Sequence, residues 1–499
     1  MADTKREIER KYESSESGLP DLTGVAGVAA VIDKGVAHLD ATYYDTHDER
    51  LAASSITLRR RTGGSDAGWH LKFPVAPGVR DEIRAPLSDT VPRTLAALVR
   101  SRVRDAELLP LVRLRSDRDV RHLVDADGTL LAEASVDAVR AERLGADTEV
   151  QWTEIEVELA DGADPAVLDK IDKRLRRAGV RPSGSASKLA RALAETAPKK
   201  KRRPKPAKAP VTAGDHVLAY VRAQRDAIVA LDPAVRRDEY DSVHRMRVAT
   251  RRMRSAFRSF RKVLDRTVTD PIGEELKWLA GELGVDRDQE VLTERLTAAL
   301  DELPRTLLAG PVRTRLRTWS HARSSGSRRR LIAVLDGKRY LELLTALDAL
   351  VADPPLLKAA AGQPEKTVAK AVGKDFAALA GLIEQALTLP PSQDRDLALH
   401  EARKKAKRTR YSAEAAVPAL GDPARTLLKS MKALQGLLGD HQDSVMAREA
   451  LRELARQAQA AGESSFTYGV LYGREERRAA DDEARLPAAW TAIKETTTV

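Results

Sequence analysis

The feature that most constrains this chain is a period-two alternation in which charge, rather than loose polarity, occupies one face of each segment. Seven segments of the first 197 residues show it: "REIERKY", "SITLRRRT", "GWHLKFP", "VRDEIRAPL", "LVRLRSD", "LLAEASVDAV" and "TEIEVEL". Strict alternation over such lengths predicts antiparallel strands. Glu7, Glu9 and Lys11 share a face opposite Ile8, and Glu154, Glu156 and Glu158 oppose Ile155, Val157 and Leu159. Arg59 and Arg61 oppose Ile56 and Leu58; His70 and Lys72 oppose Trp69, Leu71 and Phe73; Arg80, Glu82 and Arg84 oppose Ile83. Arg113 and Arg115 oppose Val112 and Leu114, and Ser135 and Asp137 oppose Ala134 and Val136.

A solvent face seldom needs acids gathered on some strands and bases on others. A closed sheet offers another arrangement, with apolar faces packed outward on helices and charged faces lining a lumen. Two helices are available for the packing, "TVPRTLAALVRSRV" and "DPAVLDKIDKRLRRAGV". A lumen holding many charges is expensive unless it is occupied. Carboxylates at Glu7, Glu9, Glu154, Glu156 and Glu158 suit hard divalent cations such as Mg2+ or Mn2+. Arg59, Arg61, Lys72 and further bases suit phosphate oxygens. Together they point to a phosphorylated ligand carrying several negative charges.

"EIERK" at 7–11 resembles the ExExK signature of CYTH domains, the triphosphate tunnel metalloenzymes. The ordered set "YYDT", "LRRR", "WHLK", "EIEVEL" and "SKLARAL" extends the likeness over residues 4–197. The resemblance implies an eight-stranded antiparallel tunnel that binds triphosphate with Mg2+ or Mn2+. It assigns metal binding to Glu7, Glu9 and the acidic strand Glu154, Glu156 and Glu158, with Asp137 as a further ligand. It assigns phosphate binding to Lys11, Arg59, Arg61, Lys72, Arg84 and Lys188. Arg113 and Arg115 take the same role, unless the strand phase shifts and Arg118 takes it instead. Glu7, Glu9 and Lys11 form the implied catalytic set, and the implied reaction is hydrolysis of a terminal phosphoryl group by water. No serine nucleophile with a histidine partner is readable, so nothing forms a covalent intermediate; no nucleobase site is readable either, which favours tripolyphosphate over a thiamine ester (thiamine triphosphatase) or a nucleotide (adenylate cyclase).

Beyond residue 197 the periodicity changes. "PKKKRRPKPAKAP" at 198–210 has seven basic residues and no acid, against a net charge of +11 for all 499 residues. It reads as an extended, self-repelling linker over 198–212. After it the pattern is helical, in Leu/Ala-rich segments separated by breaks such as "DPP" and "LPPSQ". The fold class is therefore α+β: a closed barrel over 1–197, then an all-α domain over 213–485 and a tail over 486–499.

The helical part repeats itself. "VHRMRVATRRMR" at 243 aligns without gaps with "LHEARKKAKRTR" at 399. His244, Arg247, Arg251 and Arg254 match His400, Arg403, Lys407 and Arg410, and each set lies within roughly 80° of helical arc. Downstream, "ELGVDRD" matches "LLGDHQD", pairing Gly284 with Gly439 and Asp288 with Asp443. The paired motifs resemble the CHAD domain, which implies two pseudo-symmetric helical bundles and binding of inorganic polyphosphate by the two stripes. Asp288 and Asp443 are expected to orient the basic side chains. In the second copy Glu401 and Ala402 replace Arg245 and Met246, so equal contributions from the two copies are not expected.

Composition sets limits. The absence of cysteine removes disulfides and thiolate chemistry. Aromatics at 4% disfavour stacking platforms for nucleic acid. The start "MADTKREIERKY" has no apolar core, and no apolar run reaches membrane-spanning length. The expectation is a cytoplasmic protein, gathered on polyphosphate granules if its helical part binds them, without a membrane partner. A non-catalytic polyphosphate binder is the alternative reading. Oligomeric state is not readable.

Overall fold

The computed structural model describes residues 4–14, 18–64, 66–146, 148–196, 209–324 and 326–496. The chain divides into two compact units, Met1–Pro206 and Ala207–Val499. Most of the expected basic linker, residues 198–208, lies outside the described residues.

In the first unit eight antiparallel strands close into a barrel: β1 (Thr4–Glu13), β2 (Ala30–Asp45), β3 (Thr57–Thr62), β4 (Gly68–Ala76), β5 (Val79–Ala85), β6 (Leu109–Val124), β7 (Leu130–Arg143) and β8 (Thr148–Leu159). Their order around the ring is β1-β5-β4-β3-β2-β6-β7-β8. Closure comes from β1, which pairs with β5 through Thr4–Ile8 and with β8 through Glu9–Glu13.

The inverted faces explain the packing. Helix α1 (Arg93–Val103) places Leu95, Leu98, Val99 and Val103 against the outer side chains Ile56, Leu58, Trp69, Leu71 and Ile83. Helix α2 (Ala166–Arg177) covers Tyr12, Ile155, Val157 and Leu159 with Val167, Leu168, Ile171 and Leu175. Each such side chain buried contributes roughly 1.5–3 kcal/mol. The charged faces are thereby turned into the lumen.

Helix α3 (Lys188–Glu195) does something different. Ser187 caps it, accepting a hydrogen bond from the Ala190 N–H at 3.0 Å. Its Leu189 and Ala192 pack with Ala41, Tyr43, Val112, Leu114, Val139, Ala141 and Trp152. These lie on the inward faces of their strands, so one end of the lumen is an apolar plug.

The second unit contains α4 (Ala213–Arg236), α5 (Ser242–Ser259), α6 (Arg266–Glu282), α7 (Val285–Asp301), α8 (Val312–Ser324), α9 (Ser327–Asp336), α10 (Lys338–Ala352), α11 (Pro364–Thr388), α12 (Gln393–Leu420), α13 (Asp422–Ala460) and α14 (Phe466–Thr496). Thr212 and Asp215 open α4 with a reciprocal capping box. The repeat is visible as α4–α5–α6–α7 against α11–α12–α13. In the first copy the helix breaks at Leu283–Gly284, whereas α13 runs unbroken through Gly439.

The two copies pack on one another: Met246, Met253 and Phe257 of α5 share one core with Leu399, Ala402 and Ala406 of α12. The second core joins α7 and α8 to the later half of α13 and the start of α14. One expectation needs correction: 486–496 is not a tail, because Leu486, Trp490 and Ile493 of α14 are buried in the larger core. Among the described residues, no helix is long and apolar enough to cross a membrane.

Candidate functional site

The barrel encloses a cavity of about 640 Å³. Strand register brings its acids together, with Glu9 opposite Glu158 and Lys11 opposite Glu156. Expected site residues Glu7, Glu9, Lys11, Arg59, Arg61, Lys72, Arg84, Glu156, Glu158 and Lys188 all line it. Arg80, Arg118 and Lys5 line it as well.

Each acid is engaged by a base. Lys72 Nζ lies 2.5 Å from Glu7 and 3.5 Å from Glu82, and Lys5 lies 2.9 Å from Glu158. Lys11 pairs with Glu156 and lies 3.3 Å from Glu9. Burial pushes Glu9 up, but Lys11, Lys72 and Arg80 outweigh it and leave the carboxyl below its ordinary value. For Glu7 burial wins over Lys72, and its carboxyl rises. Glu156 is held well below its ordinary value, because Lys11, Lys188 and Arg118 overcome its burial.

Arg59 and Arg61 are inward-facing neighbours on β3: Arg61 pairs with Asp66 and Arg59 donates to the Tyr43 hydroxyl at 3.2 Å, while the Nε of each is buried without a hydrogen-bond partner. Burial, then Arg59 and Arg118, push Arg61 down to about 9. Such a guanidinium gains from a bound anion.

Lys188, on the first turn of α3, reaches Glu156 at 2.6 Å, Glu154 at 2.9 Å and Asp137 at 3.0 Å. Asp137, fully buried, also takes Arg118 at 2.7 and 3.0 Å. Glu154 accepts from Trp152 Nε1 at 2.6 Å. Asp137 and Glu154 therefore sit behind Lys188 and Arg118, outside the cavity lining.

Arg113 and Arg115 are corrected. Inward positions on β6 are the even ones: Val112 and Leu114 in the plug, then Arg118, Val120 and His122 in the cavity. Arg113 points outward and takes Asp40 at 2.5–3.2 Å. Arg118 fills the cavity-facing position instead. His70 and Glu82, linked at 2.8 Å, form a buried pair in the lumen wall that the sequence did not single out as a site.

In the helical unit the two stripes meet. Burial, then Arg403, Arg251 and Arg247, push the Lys407 ammonium down to about 7. Burial together with Arg247 and Arg403 lowers Arg251. Cations from both copies thus share one site. Arg247 is held by Asp288 through two bonds of 2.7 and 2.8 Å, whereas Arg403 lies 3.8 Å from Asp443. Asp288 is partly desolvated, but Arg247 outweighs this and draws it below its ordinary value, while Asp443 is raised by burial that Arg403 only partly offsets. The two copies therefore hold their matched arginines differently.

The rest of the stripe is distributed more widely. His244 is half-buried on the first turn of α5. His400 bonds Gln442 at 2.6 Å and lines a separate cavity of about 940 Å³. Arg410 stacks on Tyr411 at 4.9 Å. Arg252, outside the stripe, is taken up by Glu414 at 2.9 Å.

Among the described residues, three metal-capable side chains converge within 4.8 Å in one place, at Asp396, His441 and Glu483. Their outer oxygens are held by Arg448 at 3.2 Å and Arg395 at 3.0 Å. The tunnel acids are spread along their strands, each on a cation.

A charged tunnel followed along the chain by a helical repeat with converging basic stripes defines a two-domain class of protein. The chain belongs to the family in which a CYTH domain, matched over residues 5–193, precedes a CHAD domain, matched over 219–452. A full-length relative is "Uncharacterized protein Rv2226" of Mycobacterium tuberculosis (strain ATCC 25618 / H37Rv). It is 40% identical over 503 residues, covering 97% of this chain and 95% of the relative. Among solved structures, PptA from Streptomyces chartreusis is 22% identical, with a TM-score of 0.48, over 57% of this chain and 100% of its own. The CHAD domain from the plant Ricinus communis is 23% identical, with a TM-score of 0.44, over 60% of this chain and 97% of its own.

Proposed function

We propose that the barrel hydrolyses inorganic triphosphate or short polyphosphate and that the helical unit binds longer polyphosphate chains. The observation that carries the reading is the lumen wall, where Arg59, Arg61, Lys72 and Arg118 line a cavity of about 640 Å³ together with Glu7, Glu9, Glu156 and Glu158. A polyphosphate takes the cations, and the acids they release take a divalent cation.

The donor set fits a hard ion, since the acids offer only carboxylate oxygens. Glu7, Glu9, Glu156 and Glu158 would hold Mg2+ or Mn2+. Bound there, the ion supplies charge neutralisation and water activation. The chain's own part is electrostatic: Lys11, Arg59, Arg61, Lys72 and Arg118 orient the phosphates and stabilise charge on the leaving phosphate oxygen. Lys188, gripped by Asp137, Glu154 and Glu156, sets the position of the acidic strand.

In the helical unit Arg247, Arg251, Arg403 and Lys407 form a site whose mutual repulsion a polyanion relieves. A cytoplasmic location near polyphosphate stores accords with both activities.

One observation favours a second reading, a tunnel that binds without turnover: every lumen acid already carries a cationic partner. A panel of tripolyphosphate, longer polyphosphates, ATP and thiamine triphosphate with Mg2+ or Mn2+ decides between them. Phosphate release from tripolyphosphate supports hydrolysis. Tight binding with no release in any combination supports the receptor.

A further inference from the structure

Arg254, the last arginine of the first stripe, does not join the four-cation site. It faces a separate cavity of about 520 Å³, together with Arg258 near the end of α5, Arg261 in the turn after it, Arg266 of α6 and Arg408 of α12. The only acids in its lining are Asp270 and Glu274. Asp270 is taken by Arg266 at 2.7 and 3.0 Å. Glu274 lies 3.4 Å from Lys277 and 4.0 Å from Arg258.

Arg408 is anchored rather than free, with Nε 2.9 Å from Asp375 and Nη2 donating to the Arg258 carbonyl at 2.8 Å. Among the described residues Arg254 and Arg261 form no ion pair, and Arg254 Nε is buried without a hydrogen-bond partner. Burial and then Arg258 lower Arg254. Burial, then Arg408, Arg258 and Arg261, lower Lys405 beside the cavity, although Asp375 opposes them. The cations outnumber the local acids.

Spacing connects this cavity to the four-cation site. Positions 247, 251, 254 and 258 advance by four, three and four residues, which keeps them on one face of α5, and Arg261 follows in the turn after the helix. From Arg247 to Arg258 the rise along α5 is roughly 16 Å. The second copy does not continue in this way: Glu414 and Val417 stand where the first copy has Arg258 and Arg261.

We propose that this cavity is a second anion site that takes phosphate groups of a chain already held at Arg247, Arg251, Arg403 and Lys407. The inference rests on the polyphosphate reading of the helical unit and adds chain-length selectivity to it. A tripolyphosphate does not span the roughly 16 Å from Arg247 to Arg258; a long chain lies along α5 and engages both sites in full.

The test is calorimetric titration of the full chain, in an R59Q/K72Q background without divalent metal so that the tunnel does not take up the shorter ligand, with tripolyphosphate and with long-chain polyphosphate, at fixed salt. The variant R258Q/R261Q changes two exposed side chains, and R251Q/K407Q serves as comparison. Expected for R258Q/R261Q is a loss of about tenfold in long-chain affinity with a shallower salt dependence and unchanged tripolyphosphate affinity. Unchanged long-chain affinity, while R251Q/K407Q loses it, overturns this inference and spares the polyphosphate reading. An equal loss for both ligands removes the length selectivity and also overturns it. No long-chain binding by the wild-type protein overturns both.

Discussion

Gly284 lies against the guanidinium of Arg247: a Cβ at position 284 would fall 2.7 Å from its Cζ. Asp288, one turn further on, takes the same guanidinium at 2.7 and 2.8 Å. The Leu-Gly-x-x-x-Asp motif therefore seats the arginine from below and grips it from the side. In Gly284→Ala the side chain must move, but the backbone need not. The expected outcome is a loss of about tenfold in polyphosphate affinity, the scale of one charge-assisted contact. The melting temperature should be nearly unchanged. At Gly439 the corresponding distance to Arg403 is 3.6 Å, so Gly439→Ala should cost less.

Lys407 supplies a pH dependence. Its ammonium sits at about 7 in the free protein, held down by burial and by Arg403, Arg251 and Arg247. A bound polyanion raises it, so binding above pH 7 takes up a proton. Affinity should fall by up to about tenfold per pH unit as pH rises above about 7. Titration in buffers of different ionisation enthalpy should register the proton. Lys407→Arg, charged throughout, should flatten the profile.

Arg118 and Arg113 separate the inward and outward faces of β6. Arg118→Ala should lower triphosphate turnover roughly a hundredfold, the scale of one lost electrostatic donor. Arg113→Ala and Arg115→Ala should leave turnover almost unchanged. Steady-state rates of the three variants at saturating metal are the check.

His441 lies 3.1 Å from Glu483 and 3.3 Å from Asp396, which raise its imidazolium above the ordinary value even though burial opposes them. A raised value means stabilisation that is fully present below the unfolded value of about 6.5 and lost as pH rises through the folded one. The stability difference between wild type and His441→Gln should be greatest in mild acid and shrink toward alkaline pH. Denaturant midpoints across that range measure it.

The same residues show what could be read without coordinates. The inverted faces of β1, β3, β4, β5 and β8 were legible, because outward Ile, Leu and Trp against inward Glu, Arg and Lys leave a closed sheet as the economical solution. β2 was not legible as a strand, since its first half is largely exposed and its alternation is lost there. Arg113 and Arg115 misled because the charge rule reverses along β6. Near α3 the barrel interior is apolar, so Val112 and Leu114 point in; further along the same face, Arg118 meets the cavity. The pairing of stripes from two copies was legible as recurrence. Arg258 and Arg261 were not, because they occur in one copy only. Gly284 was visible as a matched glycine, but its contact with Arg247 is tertiary.

The most direct measurement is phosphate release from tripolyphosphate by the full chain with Mg2+ or Mn2+, comparing wild type with Glu7→Gln/Glu9→Gln. The wild type is expected to release phosphate only when a divalent metal is added. The variant is expected to remain folded, to keep long-chain polyphosphate binding in its helical unit, and to release phosphate near background. Undiminished release by the variant, or none by the wild type with either metal, would contradict the assignment of the tunnel as a triphosphatase site.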